Sequence, residues 1–130
     1  KKAHECKVKK KKFFDVWGTG NPFRELIFVD DIADACVHFM KKKTKESLIN
    51  IGTGKEMRIK DYVKFLIKKL NLNVKIKYDL KKPDGVYRKV LDVNLAKKYG
   101  WKSKFSLEDG FEITYKAFLK NYKNLKNYTK

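Results

Sequence analysis

A tryptophan, an arginine, an aspartate and a basic pair carry the chemistry this sequence offers. Trp17 opens the segment Trp17-Gly-Thr-Gly-Asn-Pro-Phe-Arg24. An indole at a strand end presents a flat face, and a guanidinium beyond a glycine turn presents a bidentate fork for phosphate. Lys82-Pro-Asp-Gly85 is a rigid turn displaying one carboxylate, Asp84, which accepts from hydroxyls. Arg88 and Lys89 follow as adjacent cations. Together these residue types suit a phosphorylated sugar. Each also has a plainer reading: Trp17 as a core aromatic, Arg24 as an ion-pair partner of Glu25 or Asp30, and Arg88 and Lys89 as solvated surface.

Other motifs carry less. Gly-x-Gly occurs at Gly18–Gly20 and at Gly52–Gly54. The second pair has Met57 where a dinucleotide fingerprint needs its third glycine, and no acidic residue follows at the right distance. A tight left-handed turn is the expected role. Tyr-x-x-x-Lys appears at Tyr78/Lys82 and Tyr122/Lys126, but so lysine-rich a chain produces such pairs by chance. His38 lies off the apolar stripe of its helix, and His4 and Cys6, two apart, point away from each other on a helix. No Cys–His pair and no Gly-x-Ser-x-Gly elbow is present.

The elements that must position these residues alternate. Residues 1–8 read as the end of a helix, Lys9–Lys12 as a solvated loop, and Phe13–Trp17 as a strand. A second strand is expected over Phe23–Val29, then a helix capped by Asp30 or Asp31 with the stripe Ile32, Ala35, Cys36, Phe39 and Met40. Leu48–Ile51 reads as a short buried strand, and Ile59, Tyr62, Val63, Leu66, Ile67 and Leu70 as a second amphipathic helix. Val74, Ile76 and Tyr78 alternate with lysines as a half-exposed strand, and Val90-Leu91 is a brief extended piece. Asp92 caps a short helix over Val93–Tyr99, which Gly100 ends. Ser106 and Asp109 form a capping box with Asp in place of Glu, opening a helix striped by Leu107, Phe111, Thr114, Tyr115, Phe118 and Tyr122. The pattern is α/β, with a basic tail over residues 123–130.

Composition bounds the rest. The chain has 130 residues, 42% of them hydrophobic, which suffices for one core. No stretch is long and apolar enough for a transmembrane helix, and the start, KKAHECKVKKKK, has no signal-peptide h-region. Two cysteines without regular spacing suit a reduced, cytoplasmic chain and no metal site. The formal charge is +18, yet thirty of the 33 basic residues are lysines. Base and phosphate readout favours arginine forks, so this is a lysine habit rather than a specific nucleic-acid surface. A basic RNA- or polyanion-binding module, using Phe13, Phe14 and the Tyr/Lys tail, is the alternative of a different class. The first residue is not Met and the chain opens within a helix, so a piece of a longer protein is expected.

Read in order, WGTGNPFRELIFVDDIADA from Trp17, INIGTG from Ile49, KPDGVYRKVLDV from Lys82, Gly100-Trp101, and SLEDGFEITYKAFL from Ser106 resemble the C-terminal part of the GDP-L-fucose synthases. These are extended short-chain dehydrogenases/reductases. VDDIADA and NIGTG are shared across nucleotide-sugar epimerases, whereas WGTGNPFRE with KPDGxxRKxLD separates this family from its relatives. The resemblance covers residues 1–122 and implies the substrate-binding portion of a Rossmann-type fold, with residues 48–70 returning as strand and helix to the dinucleotide-binding sheet. It implies conversion of GDP-4-keto-6-deoxymannose to GDP-L-fucose by epimerisation at C3 and C5 and NADPH-dependent reduction at C4. Positions matching Trp17, Arg24 and Asp84 contact the nucleotide-sugar, and that matching Lys89 lies beside the diphosphate. Lys2 matches a further substrate contact, although lysine there lacks arginine's planar fork, and Arg88 is a possible addition. The family's NADP fingerprint, its Ser/Tyr/Lys reduction set and its acid/base Cys and His precede the matched segment. The resemblance therefore implies no catalytic residue in this chain, no activity from it alone, NADP bound mainly upstream, and a homodimer formed through the upstream part. No specific nucleic-acid partner and no membrane are expected. Another nucleotide-sugar epimerase, dehydratase or reductase is the alternative among enzymes.

Overall fold

The computed structural model describes residues 1–125, with the side chains of 123–125 left aside. In chain order the elements are α1 (Lys2–Val8), β1 (Phe13–Trp17), β2 (Phe23–Glu25), α2 (Val29–Lys41), β3 (Glu56–Arg58), α3 (Ile59–Lys69), β4 (Lys75–Asp79), β5 (Arg88–Lys89), α4 (Asn94–Lys98) and α5 (Leu107–Leu125). They fall into two compact units. One is built from Lys1–Glu25 and Lys55–Val90, the other from Leu26–Gly54 and the chain from Leu91 onward. No helix among the described residues is long and apolar enough to cross a membrane.

The first unit holds every strand found among the described residues. In β1, Phe14 and Val16 are buried while Phe13, Asp15 and Trp17 face out, the period-two pattern of a half-buried strand. It pairs in parallel with β4, with Phe13 opposite Lys75 and Trp17 opposite Asp79. A three-stranded sheet, ordered β3-β2-β5, is antiparallel on one side of β2 and parallel on the other. Two helices of this unit end in the same way. Lys10 (φ 47°) and Asn71 (φ 50°) turn left-handed. The next amides, Lys11 N–H and Leu72 N–H, then reach back to the carbonyls of Cys6 (3.0 Å) and Ile67 (2.9 Å). Each is a Schellman closure without glycine.

The second unit packs helices on Trp101. Ala35, Ala96 and Trp101 form its buried centre, with Ile27, Phe39, Ile49 and Ile51 against them. Small side chains on α2 and α4 let both helices approach the indole. One face of α2 pins the chain after α4. Asp31, fully buried, accepts the backbone N–H groups of Lys104 (2.9 Å) and Phe105 (3.2 Å). Asp34 accepts from Trp101 Nε1 (3.0 Å) and Lys104 Nζ (2.7 Å), which hold its carboxyl below the usual range, Lys104 contributing most. His38 Nε2 donates to the Tyr99 carbonyl at 3.0 Å, a structural bond. The Ser106–Asp109 capping box forms as expected, Asp109 N–H donating to Ser106 Oγ at 3.1 Å and Ser106 N–H to Asp109 Oδ2 at 3.4 Å. Gly100 (φ 85°) ends α4 as expected. On α5, Phe111, Tyr115 and Phe118 stack in succession and Tyr122 lies tilted against Phe118, with neighbouring centroids 5.0–6.1 Å apart.

Several expectations need correction. The strand from Phe23 stops at Glu25, and α2 begins at Val29 with Phe28 at its N-cap and no side-chain cap. Asp30 and Asp31 sit inside the first turn, where acidic charge still favours the helix dipole, and Asp31 is occupied by the 104–105 backbone. The α2 stripe is narrower than its spacing implies: Ala35 is buried, Ile32 and Cys36 are exposed and Met40 is 86% exposed. Leu48–Ile51 joins no sheet among the described residues; Ile49 and Ile51 use their apolar character against the Trp101 core instead. The strand nearby is β3, unforeseen because three residues without alternation leave no pattern. The extended piece expected at Val90-Leu91 is β5, two residues earlier at Arg88–Lys89. Of the basic tail, residues 126–130 lie outside the described residues, and α5 continues to Leu125.

Candidate functional site

Trp17, Arg24, Asp84, Arg88, Lys89 and Lys2 all belong to the first unit. The corner after β1 is a turn that two glycines make possible. Gly18 and Gly20 both sit at φ 70°, a region costly for other residues. Gly18 is required twice over, because a Cβ there would lie 2.1 Å from Asp84 Oδ1. The turn is bonded on every side. Gly18 N–H donates to the Asp79 carbonyl (2.9 Å), Lys60 N–H to the Gly20 carbonyl (2.9 Å), and Lys60 Nζ to Asn21 Oδ1 (3.0 Å).

Asp84 reaches this corner from the Lys82–Gly85 turn. Its Oδ1 accepts Thr19 N–H at 2.8 Å and its Oδ2 accepts Thr19 Oγ1–H at 2.5 Å. The Thr19 hydroxyl, followed by the Thr19 amide, holds the Asp84 carboxyl below its ordinary range. The sequence reading gave Asp84 to ligand hydroxyls alone; the structure adds an intramolecular bond to each of its oxygens. A carboxylate has about four acceptor positions, so acceptor capacity remains.

Trp17 is not a core aromatic: it is 69% exposed, with Lys82 Nζ 5.6 Å from its ring centroid. Arg24, in the middle of β2, donates from Nη1 to the carbonyls of Phe23 (2.6 Å) and Val86 (2.7 Å). The Nε/Nη2 edge, the side that makes a fork with an oxyanion, takes no part in those two bonds. Gly85 makes room for it, since a Cβ there would lie 3.2 Å from Arg24 Nη2. Lys89 is the register partner of Arg24 on β5, so the two side chains leave the same face of the sheet.

Two residues stand apart from this cluster. Arg88 leaves the opposite face and forks onto Glu56, with Nε 2.9 Å from each carboxylate oxygen and Nη2 2.7 Å from Oε1. That pairing raises its affinity for its proton, and makes it a strut between β3 and β5. Lys2 donates to the Asp15 carbonyl and lies 5.8 Å from the Phe14 ring centroid, so it braces α1 against β1. Sequence reasoning missed Thr19, the partner of Asp84; the signal available was a hydroxyl residue between two glycines.

Neither glycine pair forms a dinucleotide cradle. The Gly18–Gly20 turn is filled by Asp84 and Lys60. Gly54 (φ 69°) accommodates Val93, whose Cγ2 would lie 2.9 Å from a Cβ there, and β3 separates it from the next helix. No cluster suited to a metal ion occurs among the described residues.

Comparison with known proteins agrees with the resemblance read from the sequence. Residues 3–52 match the NAD dependent epimerase/dehydratase family. GDP-L-fucose synthase 1 of Arabidopsis thaliana is 39% identical over 124 residues, which are 95% of this chain and 38% of that protein. GDP-L-fucose synthase of Escherichia coli strain K12 is 35% identical over 93% of this chain and 40% of its own length. Among solved structures, a GDP-mannoheptose C4 reductase from Campylobacter jejuni with NADP bound superposes with a TM-score of 0.70 at 30% identity, covering 81% of this chain and 34% of that one. The chain thus spans about two fifths of the length of the curated relatives it matches. With its α/β elements, the chain resembles the NAD dependent epimerase/dehydratase family over residues 3–52 and is similar to GDP-L-fucose synthases over nearly all of its own length.

Proposed function

We propose that this chain is the substrate-binding portion of a GDP-L-fucose synthase, gripping the GDP end of GDP-4-keto-6-deoxymannose through Trp17, Arg24, Asp84 and Lys89. The observation that carries this reading is the joining of the two turns. Asp84 is bonded to Thr19 beside Trp17, and Arg24 is bonded to Val86 beside the same loop. An exposed indole, a guanidinium with a free edge, a second cation on the same sheet face and a carboxylate with acceptor capacity then belong to one structure.

The chemistry suits those roles. A 4-keto sugar acidifies its neighbouring C–H bonds, so epimerisation needs an acid and a base held correctly, and reduction needs the same sugar held against a hydride donor. Remote binding energy from the nucleotide does the holding. Arg24 and Lys89 neutralise the diphosphate, Trp17 offers a stacking face, and Asp84 accepts from hydroxyls. NADPH supplies the hydride and belongs to the rest of the polypeptide, since neither glycine pair here fits it. Residues 1–122 act in this reading within a cytoplasmic, homodimeric enzyme. Lys2, already occupied by β1, is the weakest member of the set, and Arg88 serves it as a strut.

Calorimetric titration of the chain with GDP, GDP-mannose and inorganic phosphate tests the proposal. Both nucleotides should bind at least ~10-fold more tightly than phosphate, and that margin should survive ~0.2 M salt, where purely ionic attraction fades. Equal, steeply salt-sensitive binding of phosphate, GDP and RNA would instead favour the polyanion-binding module.

A further inference from the structure

We propose that Thr19 is a positioning residue for the GDP-sugar site: its hydroxyl latches the Lys82–Gly85 turn onto the glycine corner and so sets Asp84 and Lys82 against Trp17 before any ligand arrives. The proposal rests on the site reading above and extends it to a residue with no role assigned by motif.

The hydroxyl's geometry fixes its direction. Thr19 Oγ1 accepts the Asn21 N–H at 3.1 Å, so its single proton points to Asp84 Oδ2, 2.5 Å away. An O–H bond to a carboxylate is charge-assisted and stronger than a neutral one. The Thr19 amide adds a second bond to the same group at 2.8 Å, giving a two-point clasp between positions 65 residues apart.

The clasped segment has little else to define it. Residues 82–87 carry no helix or ladder. They are tied at their start by Lys82 N–H to the Asp79 carbonyl (3.2 Å). At their end they are tied by Val86 to Arg24 and by the Tyr87 carbonyl to Phe23 N–H (2.8 Å). Asp84 anchors the middle. Lys82, two residues before it, is the cation over the Trp17 ring. Releasing Asp84 frees that lysine and the carboxylate together, and places the flank of Arg24 on a loop no longer fixed.

Four variants of the chain test this by deuterium exchange over residues 82–87 and by GDP-mannose titration. Thr19→Val keeps shape and removes the hydroxyl, a change cores do not treat as neutral. It should speed exchange in the segment and weaken GDP-mannose by ~10-fold, the scale of a lost charge-assisted bond. Thr19→Ser keeps the hydroxyl and should match the parent in both measurements, a rescue that a packing role for the methyl would not give. Asp84→Asn should free the segment as Thr19→Val does, and serves if the valine variant fails to fold. Valine and serine variants indistinguishable from each other in exchange and affinity would overturn the latch. The fourth variant, Arg24→Ala, separates the two proposals. Parent-like nucleotide affinity in it defeats the binding site, and the latch is then judged on exchange alone.

Discussion

Arg24 and Lys89 face each other across the β2–β5 pair as register partners on parallel strands. Two like charges so placed repel, and in the proposed function the diphosphate would offset that repulsion. Replacing Arg24 by alanine should weaken GDP-sugar binding by about 1.5–3 kcal/mol, the range for a hydrogen bond to a charged group. Lys89→Ala should weaken it less, since an ammonium is a point charge without a fork. Paired calorimetric titrations measure the order; equal or absent effects would contradict the shared face.

Arg88 should behave differently from its neighbour. Its guanidinium is committed to Glu56, so Arg88→Gln should lower the melting temperature slightly and leave GDP affinity at the parent value. Glu56→Gln should have the same small thermal effect, and the double variant should cost no more than either alone. A loss of affinity in Arg88→Gln with unchanged melting would transfer the residue to the ligand.

Asp84 gives a pH dependence with a definite sign. Its folded carboxyl ionises below its ordinary value because Thr19 donates two hydrogen bonds to the anion. A depressed carboxyl pKa contributes stability that is present above the unfolded value, ~3.9, and is lost as pH falls through the folded one. Exchange protection of residues 82–87 should therefore be flat from neutrality to about pH 5. It should fail only in stronger acid, and Asp84→Asn should abolish that acid step. Loss of protection between pH 6 and 7 would point to another group.

Gly18→Ala should be severe for its size. The left-handed backbone alone costs roughly 1–2 kcal/mol in an L-residue, and the new Cβ would overlap Asp84 Oδ1. The turn can relieve that overlap only by expelling the carboxylate. Affinity for GDP-mannose should fall together with protection of the 82–87 segment, and an alanine variant with both intact would refute the close approach.

In the second unit, Asp31→Ala should be strongly destabilising, by about 2–5 kcal/mol, because it strands two backbone N–H groups that have no other acceptor in those bonds. Chemical denaturation measures it, and Asp31→Asn should recover part of the loss.

The residues that reveal themselves in sequence are those whose partners lie within a turn or two. Ser106 and Asp109, Gly100 after α4, and the 3.6-residue rhythm of α3 were all readable because each rule is local. Asp31 was misread for the converse reason: its sequence neighbours make it a cap, while its bonds lie 73 and 74 positions away. Leu48–Ile51 has the composition of a strand but packs as a loop, since a ladder depends on a neighbour that composition does not supply. Trp17, Arg24, Asp84 and Lys89 were picked out by type and by family resemblance. The bonds of Asp84 to Thr19 and of Arg24 to Val86 were hidden, because closure over 65 and 62 positions leaves no periodic trace. Arg88 looked identical to Lys89 on paper; the pleat of β5 sends them to opposite faces.

The tether on Arg24 bears on the entropy of capture. An arginine that meets a phosphate from solution must first surrender the rotation of a long, flexible stem, and that loss is charged against complex formation. Here the stem is immobilised by the carbonyls of Phe23 and Val86 while the chain folds. In the proposed function a phosphate would therefore meet a receptor whose stem is already held, and less ordering entropy would be lost on binding.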